Sequence, residues 1–170
     1  MAQITQGTVS KAPWWKGARG EWLVVVQLAL MALVFFGPRT LSGGQGWAFP
    51  FPGVSRIVGG VLMIAGGTLL FTALFRLGRG LTPLPYPREN AALVETGPYA
   101  LVRHPMYGGG FVLALGWALL VQGWLTLGYV VVLFVFLDFK SRREDGWLEE
   151  RYPTYEEYQR RVRKLIPFVY

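Results

Sequence analysis

The chain has 170 residues, enough for one domain, with no cysteine and one histidine, His104. This excludes disulfides, zinc–thiolate and iron–sulfur sites, a thiol nucleophile and multi-histidine metal centres, and no metal ligand set is expected. Hydrophobic residues make up 52% and the formal net charge is +7; the cations flank long uncharged runs, so the charge reads as membrane topology and not as nucleic-acid binding.

Met1 to Gly20 is polar, basic and aromatic, and Trp14, Trp15, Lys16 and Arg19 give it the character of a cytoplasmic tail with interfacial tryptophans. No small-residue cleavage site follows the first apolar run, so a cleaved signal peptide is not expected. That run, Trp22 to Phe36, holds one polar residue, Gln27, and closes at Gly37-Pro38. As a helix it covers roughly 22 Å, slightly short of a ~30 Å hydrocarbon core that flanking tryptophans complete. Leu41 to Pro52 is a loop of glycine, proline and aromatic residues.

Ile57 to Phe75 is 19 residues without a charge, long enough to span, and Gly59, Gly60, Gly66 and Gly67 suit close helix contact. Residues 76–105 contain Pro83, Pro85, Pro87, Pro98 and Pro105, which excludes one long helix. Met106 to Leu137 is then apolar except for Gln122-Gly123. A single helix of that length is roughly 48 Å, too long for one crossing, so the pattern predicts a hairpin of Met106–Val121 and Trp124–Phe139. Beyond Lys140 the chain is charged: a helix is expected over Ser141–Arg151, stopped by Pro153, and a second over Thr154–Lys164 with Tyr155, Tyr158 and Val162 on one face. Leu165 to Tyr170 returns toward the membrane surface.

The expected architecture is therefore an all-α membrane protein in one domain, residues 1–170: a tail (1–20), two transmembrane helices within 22–75, a cytoplasmic loop (76–105), a helical hairpin (106–139) and a helical tail (140–170). Four spans place the N-terminal segment, the proline-rich loop and the C-terminal segment on one side. That side holds fifteen of the seventeen lysines and arginines, so it is cytoplasmic. It also brings together two chemically informative stretches.

The first runs from Gly97-Pro98-Tyr99 through Arg103-His104-Pro105-Met106-Tyr107 to Gly108-Gly109-Gly110. Pro105 suits the first position of a helix, and the free N–H groups of a helix start suit an anion such as a carboxylate. Three glycines bare one helical turn, either for a flat ligand or for helix packing. The second stretch is Arg142-Arg143-Glu144-Asp145. Adjacent acids suit a cationic ligand, or are neutralised by the neighbouring arginines. Asp138 sits within the last apolar run, as a functional group or as the i,i+4 partner of Arg142.

In this order and spacing the motifs resemble the isoprenylcysteine carboxyl methyltransferase and phospholipid methyltransferase superfamily, over roughly Leu77 to Tyr170. Thr82-Pro83-Leu84-Pro85 resembles its bacterial members. The resemblance implies a multi-helix membrane enzyme that takes S-adenosylmethionine at the cytoplasmic face, enclosed by the hairpin and the folded tail, and methylates a lipophilic small molecule or lipid. An inner bacterial membrane is the expected location, with both terminal segments cytoplasmic and membrane lipids as partners. It implies that Arg103, His104 and Tyr107 are catalytic. With Gly108, Gly109, Gly110, Glu144 and Asp145 these would border the cofactor. The family's second motif is usually Glu-Glu; Asp145 departs from it and is the shorter carboxylate. Related sterol reductases share an Arg-His-Pro-x-Tyr-like motif and a tail like Ile166-Pro167-Phe168-Val169-Tyr170, so an NADPH-dependent reductase is the alternative, and a non-enzymatic membrane protein that keeps the motif for structure is another.

Overall fold

A computed structural model describes residues 20–41, 51–78, 92–167 and 169–170. The expectations for Met1–Arg19 and for Thr82-Pro83-Leu84-Pro85 fall outside these, as does Phe168. Among the described residues the fold is all-helical: α1 (Glu21–Phe36), α2 (Pro52–Leu77), a 3-10 turn (Gly97–Ala100), α3 (Pro105–Val121), α4 (Trp124–Arg151) and α5 (Tyr155–Arg161). α2 and α4 are long and apolar enough to cross a membrane, and α1 and α3 are shorter apolar helices. The outer side chains suit hydrocarbon: Ile57, Ile64 and Phe75 on α2 and Val131 and Val135 on α4 are all exposed.

α2 and α3 pack antiparallel through glycines spaced seven apart. A Cβ on Gly66 would lie 2.7 Å from the Gly109 carbonyl oxygen, and one on Gly116 would lie 2.6 Å from that of Gly59. Two backbones meet directly, as small residues allow. Gly60 has open space at the same test and Gly67 only an ordinary side-chain contact, so the expected glycine quartet divides into a packing pair and a free pair. Ser55 extends the seam by donating to the Leu119 carbonyl at 2.9 Å.

The hairpin turn is where the sequence puts it. Gln122 takes left-handed backbone geometry (φ 51°) and its side-chain amide donates to the Pro52 carbonyl at 3.1 Å. α4 returns against α3 and α1, and Val34, Ala114, Ala118, Val130, Leu133 and Leu137 form the shared core.

Two expectations about the tail are corrected. α4 does not end at Phe139; it continues without a break through Lys140 and Ser141 to Arg151. No proline interrupts it, and both residues are buried, with Lys140 bonded to Gln27 of α1. The last helix ends at Arg161 and not at Lys164, and Val162 is extended (φ −121°, ψ 133°). The reason is competition for the backbone: the Arg163 and Lys164 carbonyls accept the N–H groups of Arg103 (2.8 Å) and His104 (3.0 Å). Val102 and Arg163 form a parallel bridge there.

Candidate active site

His104 occupies the cap position of α3, with Pro105 at the first helical position. Its carbonyl accepts the N–H groups of Tyr107 (3.1 Å) and Gly108 (3.0 Å). The same backbone turn aims the imidazole across to α4. There Nε2 meets Asp145 Oδ1 at 2.6 Å and Nδ1 meets Glu144 Oε2 at 3.4 Å. Arg103 reaches the other oxygen of Asp145 at 3.1 Å. The two stretches singled out in the sequence, 41 positions apart at this contact, thus close on one another.

The imidazole is buried, which by itself disfavours its charge. Hydrogen bonds and negative charge from Asp145 and Glu144 outweigh that, and its pKa is pushed from 6.5 up to about 9. His104 is therefore favoured as a cation at neutral pH, hydrogen-bonded through Nε2 to Asp145 and ion-paired through Nδ1 with Glu144. Tyr107 stacks on it with ring centroids 5.6 Å apart and planes within 6°.

Arg103 is held by the tail: one terminal nitrogen donates to the carbonyls of Gln159 (3.2 Å) and Val162 (2.7 Å). Its Nε is buried and has no partner, and the hydroxyl of Tyr99 is in the same condition. Burial and the nearby charge of Glu144 push the Tyr99 hydroxyl up to about 12, so it stays a neutral donor. Two unsatisfied buried donors beside an acid doublet are unusual in a finished structure, and they suit a ligand that brings an acceptor. A cavity of about 520 Å³ opens beside Arg103 and Asp145. Arg142, Arg160, Arg163 and Lys164 also line it, which suits an anionic group.

The three glycines separate. A Cβ on Gly109 would lie 2.7 Å from the Leu70 nitrogen, and one on Gly108 would collide with the Leu165 carbonyl oxygen. Both serve close packing. A Cβ on Gly110 would meet nothing within 4 Å although the residue is buried, so Gly110 alone of the three faces open space.

A family model described as phospholipid methyltransferase matches residues 54–155, which includes both motifs. The chain belongs to the phospholipid methyltransferase family. Among similar curated proteins are the nickel-cobalt-cadmium resistance protein NccN of Alcaligenes xylosoxydans xylosoxydans, 29% identical over 87% of this chain and 63% of that protein, and the cobalt-zinc-cadmium resistance protein CzcN of Cupriavidus metallidurans, 31% identical over 87% and 62%. The protein-S-isoprenylcysteine O-methyltransferase of Schizosaccharomyces pombe is 32% identical over 61% of this chain and 46% of its own. The chain thus spans under two thirds of the length of these relatives. A shorter likeness, 33% identity over 95 residues, joins it to 22% of the Delta(14)-sterol reductase of Mus musculus.

Three residues of this family member were not singled out as site residues from sequence. Tyr155 donates to Asp145 Oδ1 at 2.6 Å and Tyr158 donates to the Tyr99 carbonyl at 2.5 Å. Their shared helical face was the available signal; it reads equally well as ordinary core. Tyr99 stood inside the first motif and only its unsatisfied hydroxyl marks it. Asp138, left open between function and a local pair, makes that pair with Arg142 (2.9 Å) and also bonds Lys164 and the Tyr170 hydroxyl, which fastens the tail to α4.

Proposed function

We propose that this chain is an integral membrane methyltransferase that uses S-adenosylmethionine to methylate a lipophilic acceptor at the cytoplasmic face. Its four apolar helices would cross the bilayer, with both terminal segments on the cytoplasmic side of an inner bacterial membrane. The observation that supports this most is the meeting of Arg103 and His104 with Glu144-Asp145 beside a cavity, in a chain of this family.

The residues fit the cofactor. Its carboxylate has a partner in the unsatisfied Nε of Arg103, and its ammonium in Glu144, the less engaged of the two acids. Gly110 leaves room for a flat group against α3. Bound there, the cofactor would be held by Arg103 and Glu144 and would supply a methyl carbon on a positively charged sulfur, whose departure as a neutral thioether would balance the new bond to the acceptor.

Asp145 holds Arg103 and His104 in place, and Tyr155 holds Asp145. His104 is an orienting cation at pH 7, since its raised pKa leaves it no vacant lone pair with which to take a proton. The site therefore favours an acceptor that arrives deprotonated, such as a carboxylate, because an anionic nucleophile meeting a sulfonium neutralises charge and needs no base. The protein's share is position and a dry, charged frame.

Calorimetry of S-adenosylmethionine binding to the purified chain in detergent tests this. Binding by the wild type, weakened at least tenfold by Arg103→Ala and by Glu144→Ala, is the expected result. No binding, or binding indifferent to both substitutions, overturns it. The reductase reading rests on the shorter likeness to the sterol reductase, and it requires NADPH to protect the protein against heat; no such protection is expected.

A further inference from the structure

One charged residue within the helical bundle has no part in this scheme. Lys140 is 3% exposed. It lies one helical turn before Glu144, so both project from the same side of α4. Its ammonium bonds the side-chain oxygen of Gln27 from α1 and stands 4.8 Å from the centre of the Tyr107 ring from α3. Among the described residues it forms no ion pair; Glu144 acts on it only through its charge at a distance.

That is an uneconomical way to bury a charge. An ammonium has three donors, and here one neutral amide oxygen and one ring face are what meets them. Structural lysines inside proteins are paired, and an ionisable side chain among membrane-spanning helices is a functional candidate. Its location adds direction. Tyr107 stacks on His104 while Lys140 stands against the same ring, so Lys140 reaches the site through Tyr107 from the α1 side, whereas Arg103 reaches it from the tail. The site then has two cationic ends, one toward the tail and one at the seam between α1 and α4, where the flanking helix surfaces are apolar.

We propose that Lys140, steadied by Gln27 and Tyr107, seats the anionic headgroup of the lipophilic methyl acceptor, a carboxylate or a phosphate at the end of an apolar chain. The proposal rests on the methyltransferase reading for its purpose but is tested apart from it. Lys140 is a specificity-determining residue in this scheme: it selects an acceptor that carries negative charge and brings it within reach of the donor held by Arg103 and Glu144.

The test uses the full chain in nanodiscs of zwitterionic lipid. Three spin-labelled single-chain probes quench its tryptophan fluorescence: a stearate, a stearyl phosphate and the neutral methyl ester of the stearate. The wild type is expected to bind at least one anionic probe tenfold or more tighter than the ester, and the tighter of the two identifies the headgroup. Lys140→Met is expected to reduce that preference to within twofold, Lys140→Arg to restore most of it, and S-adenosylmethionine affinity to stay within twofold throughout. Because Lys140→Met strands the Gln27 amide, the double variant Gln27→Leu/Lys140→Met removes both polar groups together and is expected to fold and to lack the preference. An anion preference that survives in both methionine variants overturns the proposal, as does its absence from the wild type. A parallel fall in cofactor affinity also overturns it, because Lys140 would then belong to the donor. If the wild type fails to bind S-adenosylmethionine, the methyltransferase reading fails while the probe arm still decides on Lys140.

Discussion

The seam between α2 and α3 and the junction of α3, α4 and the tail hold the same helix in opposite ways. At the seam, glycines at 59, 66, 109 and 116 bring backbone against backbone. At the junction, charged and hydroxyl side chains bond one another, and the tail backbone takes up the N–H groups of Arg103 and His104. The difference teaches that α3 has a fixed rear face and a chemically selective front. The seam sets where the helix stands, and the junction depends on which residues meet there.

The largest expected effect breaks the junction. Asp145→Ala strands the His104 and Arg103 cations in a buried setting, and losing one member of such a group costs about 3–5 kcal/mol. Chemical denaturation in detergent measures it, and an unchanged midpoint would show that the cluster is solvated. Next comes the seam. Gly66→Leu forces a side chain into the backbone of α3 and is expected to cost about 1–3 kcal/mol or more, whereas Gly60→Leu, six residues earlier on the same helix and with open space, is expected to cost far less. Equal losses in the two variants would erase the distinction between the packing pair and the free pair.

A smaller effect separates the regions by pH. The folded pKa of His104, about 9, lies above its ordinary 6.5. Its contribution to stability is complete below about pH 6.5 and is lost as pH rises through 9. The melting temperature should therefore fall across that window, and the fall should be largely absent in His104→Gln. Gly66→Leu should lower the whole curve without changing its slope. The smallest effect is Tyr158→Phe, which removes one hydrogen bond to the Tyr99 carbonyl and is expected to cost about 1 kcal/mol by the same denaturation assay. No change in cofactor affinity should accompany it.

Much of this contrast is legible in the sequence, for local reasons. Apolar runs and the Gln122-Gly123 break define the helices, because length and turn chemistry are properties of neighbours along the chain. The Arg103-His104 and Glu144-Asp145 stretches are visible as motifs, and topology alone puts them on one face. The continuity of α4 through Lys140 is not visible. A lysine after an apolar run looks like the start of a solvated segment, and the groups that meet it when buried, Gln27 of α1 and the Tyr107 ring of α3, come from elsewhere in the chain. The end of α5 is hidden for the same reason: residues Val162–Lys164 favour helix locally but are recruited by the N–H groups of Arg103 and His104. The glycines of the first motif illustrate a third kind of limit. Gly108, Gly109 and Gly110 are indistinguishable in sequence, yet one faces a carbonyl, one a helix and one open space. That distinction depends on where Leu165 and Leu70 come to lie.

The bonds from Arg103 and His104 to the carbonyls of residues 163 and 164 also impose an order on biosynthesis. Their acceptors are translated about sixty residues after the motif they complete; the Val162 carbonyl that also holds Arg103 lies 59 positions beyond it. Until those residues emerge from the ribosome, Arg103 lacks the carbonyls that hold it in place. The apolar helices are therefore complete before the pocket is, and a nascent chain stalled before that point would carry α1 to α4 without the backbone that closes the Arg103 and His104 junction.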